Sequence, residues 1–171
     1  MLLLTACSGN IFNNTNTTST TKYIETEAGL VWCNEFTEKV NRLDTIIKIE
    51  AIVEILRNLY DDDARYIISA RSQGKPIGYS IKKYKETRTK ADSQIMELQA
   101  LVNSITPPEF VTSFWRYESI ANIYLPNGFF YIDNIVLKTG GNPDPSIRQI
   151  TIAIRNTERA IGHIKASNFS C

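Results

Sequence analysis

The chain has 171 residues, with 19 Lys and Arg against 18 Asp and Glu, so its formal charge is +1. A near-neutral protein has no overall field that attracts nucleic acid, and we expect no nucleic-acid partner. Hydrophobic residues make up 43% of the chain, which predicts one folded domain rather than a disordered chain. No apolar run approaches the roughly 18 to 20 residues that a membrane-spanning helix needs.

The chain begins with a short apolar run that ends in a cysteine. Leu4-Thr5-Ala6-Cys7 resembles the lipobox, the Leu-small-small-Cys motif of bacterial lipoprotein signal peptides. In that family a signal peptidase cuts before the cysteine, whose sulfur carries a diacylglycerol. The resemblance implies that residues 1–6 are the remnant of a signal peptide. It also implies that Cys7 attaches the protein to a membrane through diacylglycerol.

The residues around Cys7 refine what this resemblance implies. Six uncharged residues precede Cys7, whereas a full signal peptide has a basic segment and an apolar segment of about 7 to 15 residues. We therefore expect the missing part of the signal to lie upstream. In the family, Ser8 rather than Asp after the cysteine is the pattern for delivery to the outer membrane. The expected location is the cell envelope, facing away from the cytoplasm, at the outer membrane in a Gram-negative host.

A polar segment follows the cysteine. From Ser8 to Thr21 the residues are Ser, Thr, Asn and Gly except for Ile11 and Phe12, and such a composition cannot bury a core. About 17 residues of flexible chain have a root-mean-square span of roughly 20 to 25 Å. We therefore interpret residues 7–24 as a lipidated cysteine with a tether, and residues 25–171 as the folded domain.

The first part of the domain has the periodicity of helices. Apolar residues recur in steps of three and four from about Glu25 to Arg71, which predicts one buried stripe. The members are Trp32, Phe36, Val40, Leu43 and Ile47, followed by Ile49, Val53, Leu56, Tyr60 and Ile67. The two series are out of phase near Asp44 to Ile49, which predicts either a kink or a break there. Asp61, Asp62 and Asp63 come late in this helix, where carboxylates oppose the helix dipole, so we expect fraying or a solvated face.

Turns and a second clear helix follow. The glycines and proline of residues 73–78 predict a turn. A long amphipathic helix is predicted after it, with Arg88 as the one polar exception on its apolar face. The apolar members are Ile81, Tyr84, Ala91, Ile95, Leu98, Val102 and Ile105. Thr106-Pro107-Pro108-Glu109 then ends this helix and begins the next.

The segment from Glu109 to Lys138 permits two interpretations. Its first half keeps helical spacing, but residues 125–128, Leu-Pro-Asn-Gly, have turn chemistry, and the residues on both sides favour strands. We favour a kinked or interrupted helix over a β-hairpin, because a lone hairpin would need another sheet edge. Residues 140–146 predict a loop, and a last helix follows with Ile147, Ile150, Ile154, Ile161 and Ile164 on one face.

These elements predict an all-α fold. Segments of about 24 to 30 residues joined by short loops favour an up-and-down bundle of antiparallel helices. The bundle has four helices, or five if the first segment breaks. If the first segment is one helix, the two ends of the domain meet, and export would favour a disulfide between Cys33 and Cys171. The alternative is two unpaired thiols.

No residue pattern indicates catalysis. The single histidine, His163, lies five residues after Glu158, which misses the spacing of a helical pair. The chain lacks Glu-x-x-His, GxSxG and Walker A motifs, so we expect no enzyme activity, no metal and no cofactor.

Aromatic residues crowd residues 110–131, and two interpretations remain open. In the first interpretation most of them belong to the core. In the second some of them line a groove, since exposed aromatic residues are enriched where proteins bind. The candidate binding residues are Phe114, Trp115, Tyr117, Phe129 and Phe130. The first functional hypothesis is a structural or interaction module of the envelope with a protein partner. The second is a lipid-anchored protein that binds a small apolar ligand or a partner helix through residues 110–131.

Overall fold

The computed structural model describes residues 27–107, 114–138 and 140–166, without the side chains of residues 27–30 and 33. Every regular element in these ranges is helical, so the predicted all-α class is confirmed. The α-helices are α1 (Glu27–Lys39), α2 (Arg42–Asn58), α3 (Arg65–Ser72), α4 (Gly78–Asn103), α5 (Phe114–Ser119), α6 (Leu125–Val136) and α7 (Asp144–Ala166). The predicted lipidation site Cys7, the tether and Cys171 lie outside the described residues.

Two short π-helices join α-helices end to end. Segment π1 (Leu59–Ala64) joins α2 to α3, and segment π2 (Ile120–Tyr124) joins α5 to α6. Backbone N–H groups in these segments bond to the carbonyl five residues earlier, as when Arg65 donates to Tyr60 and Leu125 donates to Ile120. The described part of the chain therefore forms five continuous helical stretches, the larger of the two predicted numbers.

The first stretch breaks at Val40 and Asn41, a few residues before the predicted position. The Asn41 side chain accepts a hydrogen bond from the backbone N–H of Asp44 at 3.2 Å and caps α2. Helix α2 then starts with a new phase. The prediction that Leu43 and Ile47 are buried is therefore wrong, because both are more than half exposed and Ile46 takes a core position instead, whereas Ile49 is buried as predicted. Trp32, Phe36 and Val40 are buried as predicted.

The three consecutive aspartates do not end a helix. They lie within π1, and the helix continues through α3 to Ser72. Asp61 and Asp62 are exposed, but Asp63 is only 8% exposed, so the prediction of fraying or a solvated face is wrong for Asp63. The π-helical turn changes the phase of the helix and directs this carboxylate inward.

Residues 114–136 are helical throughout, so the alternative of a β-hairpin is wrong. Pro126 stands in the first turn of α6, directly after π2. Gly128 is buried against α2 and α7, because a Cβ there would lie 2.7 Å from Leu56 Cδ2 and 3.3 Å from Ala153 Cβ. Pro126 and Gly128 therefore serve a helix junction and a close helix contact rather than a turn.

The remaining predicted helices are confirmed. The turn at residues 73–77 precedes α4, whose predicted apolar face is buried apart from the half-buried Ile81. On α7, Ile150, Thr157, Ile161 and Ile164 are buried, while Ile147 and Ile154 pack at the edge of the same core. The core is continuous and draws on all five helical stretches.

Arginines connect the ends of different helices. Arg42, at the start of α2, donates to the carbonyls of Ile164 and Lys165 at the end of α7. Arg71, at the end of α3, donates to the carbonyls of Ile135 and Val136 at the end of α6. These guanidinium groups supply donors to carbonyls that a helix C-terminus leaves without partners.

Candidate functional site

The five candidate binding residues divide into two sets. Phe114, Tyr117 and Phe129 belong to the core, with exposed fractions of 3%, 3% and 0%. Trp115 and Phe130 are 59% and 54% exposed. The structure thus places two of the five on the surface, on the same continuous helical stretch.

The buried aromatics near residue 114 hold α1 against α5. Trp32 and Phe36 stack with ring centroids 5.1 Å apart, and Phe114 meets both edge-on at 6.3 and 6.2 Å. Tyr117 approaches Phe36 at 6.0 Å. Burial raises the pKa of the Tyr117 phenol, and the nearby Arg42 opposes that rise. This aromatic cluster (Trp32, Phe36, Phe114 and Tyr117) is a packing device that fixes the short first helix.

Exposed apolar side chains form a row along the outer surface of α5, π2 and α6 and end at the C-cap of α6. The row consists of Trp115, Ile123, Phe130 and Leu137, which are 59%, 50%, 54% and 45% exposed. We call it the apolar row. At a rise of about 1.5 Å per residue it is roughly 33 Å long. Sequence reasoning found Trp115 and Phe130 but missed Ile123 and Leu137.

The π-helical segment keeps the apolar row on one side. Ile123, Phe130 and Leu137 are seven residues apart, whereas Trp115 and Ile123 are eight apart. Seven residues make about two α-helical turns, so an eight-residue step would rotate Trp115 off the line. A π-helical turn accommodates one additional residue, and π2 begins at Ile120, within this interval. The eight-residue step therefore returns to the same face.

A partly buried polar network lies between α4 and α6. The Tyr84 hydroxyl donates to the carboxylate of Asp133, and the Arg88 Nε donates to the same carboxylate at 3.3 Å. Arg88 also pairs with Asp92 and lies over the Phe129 ring, 4.7 Å from its centroid. Burial, followed by the hydrogen bond to Asp133, raises the pKa of the Tyr84 phenol. Tyr84 therefore stays a hydrogen-bond donor, and the network explains why Arg88 occupies an otherwise apolar face.

The other residues considered for chemistry are dispersed. His163 is exposed near the end of α7, and Cys33 lies in α1 with its side chain outside the described residues. Within residues 27–107, 114–138 and 140–166, no three His, Cys, Asp or Glu side chains come together as a metal site. None of the helices in these ranges has the length and apolar character needed to span a bilayer.

Comparison with known proteins gives no relative. No protein-family model matches the chain, and no curated protein or solved structure is significantly similar to it. The residues themselves therefore carry the functional argument.

Proposed function

We propose that the protein is an envelope lipoprotein, anchored by diacylglycerol on Cys7 and carrying a non-enzymatic helical interaction module. The lipobox Leu4-Thr5-Ala6-Cys7 carries this proposal. The helical domain that begins with α1 at Glu27 supports it, because the polar segment between Cys7 and this domain suits a tether. A domain held in this way presents its surface to other envelope proteins.

Lipidation is tested on the protein isolated from its native host with its complete signal. Mass spectrometry is expected to find a mature N-terminus at Cys7 that carries acyl chains. After a high-salt wash, which removes proteins held by charge alone, the Cys7→Ala variant should leave the membrane fraction, whereas the matched Cys33→Ala variant should remain in it. An unmodified Cys7, or a mature N-terminus elsewhere, would refute the proposal.

The module is proposed to be an up-and-down bundle of antiparallel helices. Two contacts along each of two pairs of neighbouring helices support this arrangement. For α2 and α7 they are Arg42 with Ile164 and Arg57 with Glu158. For α4 and the stretch from α5 to α6 they are Tyr84 with Asp133 and Asn103 with Asn122. In both pairs of helices the residue number rises along one helix as it falls along the other, from 42 with 164 to 57 with 158 and from 84 with 133 to 103 with 122.

The apolar row is the proposed binding surface for a partner helix. Apolar side chains at seven-residue spacing match the seam along which two helices pack. Lys138, whose ammonium lies 5.9 Å from the centroid of the Phe130 ring, places a charge beside the row. The observed exposure of Trp115 and Phe130 favours a partner helix over a small ligand enclosed in the core, since both rings face outward.

Photo-crosslinking in the native envelope tests this surface. A crosslinking amino acid at Ile123 or Phe130 is expected to capture the same protein partner. The matched positions Lys48 and Gln149 are exposed on α2 and α7 and should capture none. Equal capture from all four positions would refute the apolar row as the binding surface.

A further inference from the structure

The near-neutral net charge conceals a strongly basic segment. Residues 71–90 contain seven Lys and Arg and a single acidic residue, Glu86, which gives +6. The whole chain carries +1, so the other residues sum to −5. One segment of 20 residues therefore has a charge opposite to that of the remainder.

The structure places the lysines of this segment on one surface. Lys75 is exposed in the turn before α4, and four more lysines are exposed along the first half of α4. Tyr84 and Ala91 on the opposite side of α4 are fully buried, so these lysines project away from the core. We call this surface the basic face, which consists of Lys75, Lys82, Lys83, Lys85 and Lys90.

The basic face is not neutralised by the rest of the domain. Among the described residues, no carboxylate oxygen lies within 4.0 Å of these five ammonium groups, whereas Arg57, Arg65, Arg88 and Lys165 all have such partners. Lys83 does act on Asp63, since its charge lowers the pKa of that carboxyl against the larger effect of burial. An uncompensated set of five cations over roughly 20 Å of surface attracts anions.

The exposed cations of the segment are all lysines. Its two arginines are engaged inside the fold, since Arg71 donates to the end of α6 and Arg88 joins the Asp133 network. Arginine is the residue that recognises phosphates with paired donors, as in nucleic-acid sites, whereas lysine acts as a hydrated point charge. A surface that presents only lysine fits a diffuse anionic layer better than a defined phosphate site.

Tyr79 adds an amphipathic side chain to the basic face. It lies in the first turn of α4 and is 83% exposed. Lys83 and Lys90 follow it by four and eleven residues, so all three share one side of the helix. Tyrosine is enriched at membrane interfaces, where its ring reaches the headgroups and its hydroxyl stays in water. An exposed tyrosine surrounded by lysines is typical of a protein surface that binds to a bilayer.

We propose that the basic face and Tyr79 bind the anionic headgroups of a phospholipid bilayer, with the first half of α4 along its surface. The proposal rests on the lipid anchor only in that the anchor brings a bilayer within reach. The 19 residues between Cys7 and Glu27 extend to at most about 65 Å. Helix α4 has 26 residues and is about 39 Å long. Anchor and basic face can therefore engage the same bilayer, and the anchor raises the local concentration of headgroups.

The test uses the full chain with Cys7→Ala, so that lipidation has no influence on the result. Vesicles of phosphatidylcholine alone and vesicles with about one-third phosphatidylglycerol are sedimented with the protein at low and high salt. One variant carries Lys82→Gln, Lys83→Gln, Lys85→Gln and Lys90→Gln. The matched control carries Lys48→Gln, Arg148→Gln, Arg155→Gln and Arg159→Gln, four exposed residues elsewhere, and has the same net charge. Circular dichroism and urea unfolding verify that both remain folded.

The parent protein is expected to bind the anionic vesicles, to ignore the neutral ones and to dissociate at high salt. Each lysine close to an anionic surface contributes about fivefold, so the basic-face variant should lose about 100-fold or more of its partition coefficient. The control should retain its binding within about threefold. Tyr79→Ala should weaken vesicle binding several-fold.

Three results would overturn the inference. Equal binding to neutral vesicles would remove the role of charge. Equal losses in the two fourfold variants would assign the effect to net charge rather than to the basic face. Unchanged vesicle binding by Tyr79→Ala would mean that the basic face attracts polyanions in general and is not a specific membrane-binding surface. None of these results depends on Cys7, so the lipidation proposal and this one can fail separately.

Discussion

Gln99 of α4 donates a hydrogen bond of 3.0 Å from its side-chain amide to the backbone carbonyl of Ala121 in π2. In the π-helical register the expected donor to this carbonyl is the N–H of residue 126. Residue 126 is a proline, which has no N–H. A side chain from another helix thus supplies the donor that Pro126 cannot.

This relationship predicts a measurable coupling between Gln99 and Pro126. Gln99→Ala should lower the free energy of unfolding by about 1 kcal/mol, because it leaves a partly buried carbonyl without a donor. In a Pro126→Ala background the new N–H can serve Ala121, so the same change should cost less than half as much. Urea unfolding of the two single variants and the double variant measures the coupling. Equal costs in both backgrounds would contradict the explanation.

Gly128 permits the close approach of α6 to α2 and α7, so Gly128→Ala should destabilise the protein. The added Cβ would overlap Leu56 Cδ2, which lies 2.7 Å from its position. We expect a loss of about 1 to 2 kcal/mol, since overpacking outweighs the better helix propensity of alanine. Gly162→Ala is the matched control, because nothing lies within 4 Å of its Cβ position. That control should gain about 0.5 to 1 kcal/mol, and thermal unfolding distinguishes the two signs.

The sequence predicted those helices whose periodicity is unbroken. In α4 and α7 every apolar step is three, four or seven residues, so the buried faces follow directly from spacing. The break at Asn41 was misplaced because Leu43 and Ile47 continue the spacing of Trp32 and Phe36, although the helix restarts between them. The two π-helices were not predicted. Each changes the phase by one residue, and no residue type marks them.

The candidate surfaces were predicted less well, for two physical reasons. Trp115 joins Ile123, Phe130 and Leu137 only when the additional residue of π2 is counted. The basic face was missed because net charge was judged over the whole chain. The signal was nevertheless present in the sequence, since residues 71–90 have seven basic residues and one acidic residue. A charge count in short windows would have found it.

The carboxyl group of Asp63 should lower the free energy of unfolding as the pH rises above its ordinary pKa of 3.8. Burial raises its pKa from 3.8, Lys83 opposes the rise and Asp62 adds to it. Between 3.8 and the higher pKa of the folded state, the folded protein binds more protons than the unfolded chain, so this group's contribution to stability falls with rising pH. At neutral pH the buried carboxylate is therefore a cost.

Asp63→Asn removes that cost. We expect its free energy of unfolding at pH 7 to rise by about 1 kcal/mol or less, with a flatter pH dependence above 3.8, the ordinary pKa of this carboxyl. Urea unfolding across this range measures both effects. Asp62→Asn, at an exposed neighbouring carboxylate, should change stability little. A lower stability of Asp63→Asn at pH 7 would mean that the carboxylate makes a favourable contact that its burial does not suggest.

The disulfide between Cys33 and Cys171 stays a prediction, although the first segment is not the single helix on which it was based, because α1 ends at Lys39 and α2 begins at Arg42. Trp32 and Phe36 pack against Phe114, and Arg42 donates to the carbonyl of Lys165 at 3.1 Å. Helix α1 ends at Lys39, three residues before Arg42, so the end of α1 lies near the end of α7. Closing a loop of this length contributes about 4 kcal/mol in the chain-entropy model.

Thiol titration of the protein isolated from its envelope tests the bond. With Cys7 acylated, we expect no reactive thiol in guanidinium without reductant and two after reduction. A Cys33→Ser variant should expose one thiol, that of Cys171, and should unfold at lower denaturant concentration because the unfolded chain is no longer constrained. Cys171→Ser should lose the same stability, since either change opens the same loop. Two thiols that titrate in guanidinium before reduction would exclude the disulfide and leave the aromatic cluster as the contact that holds α1.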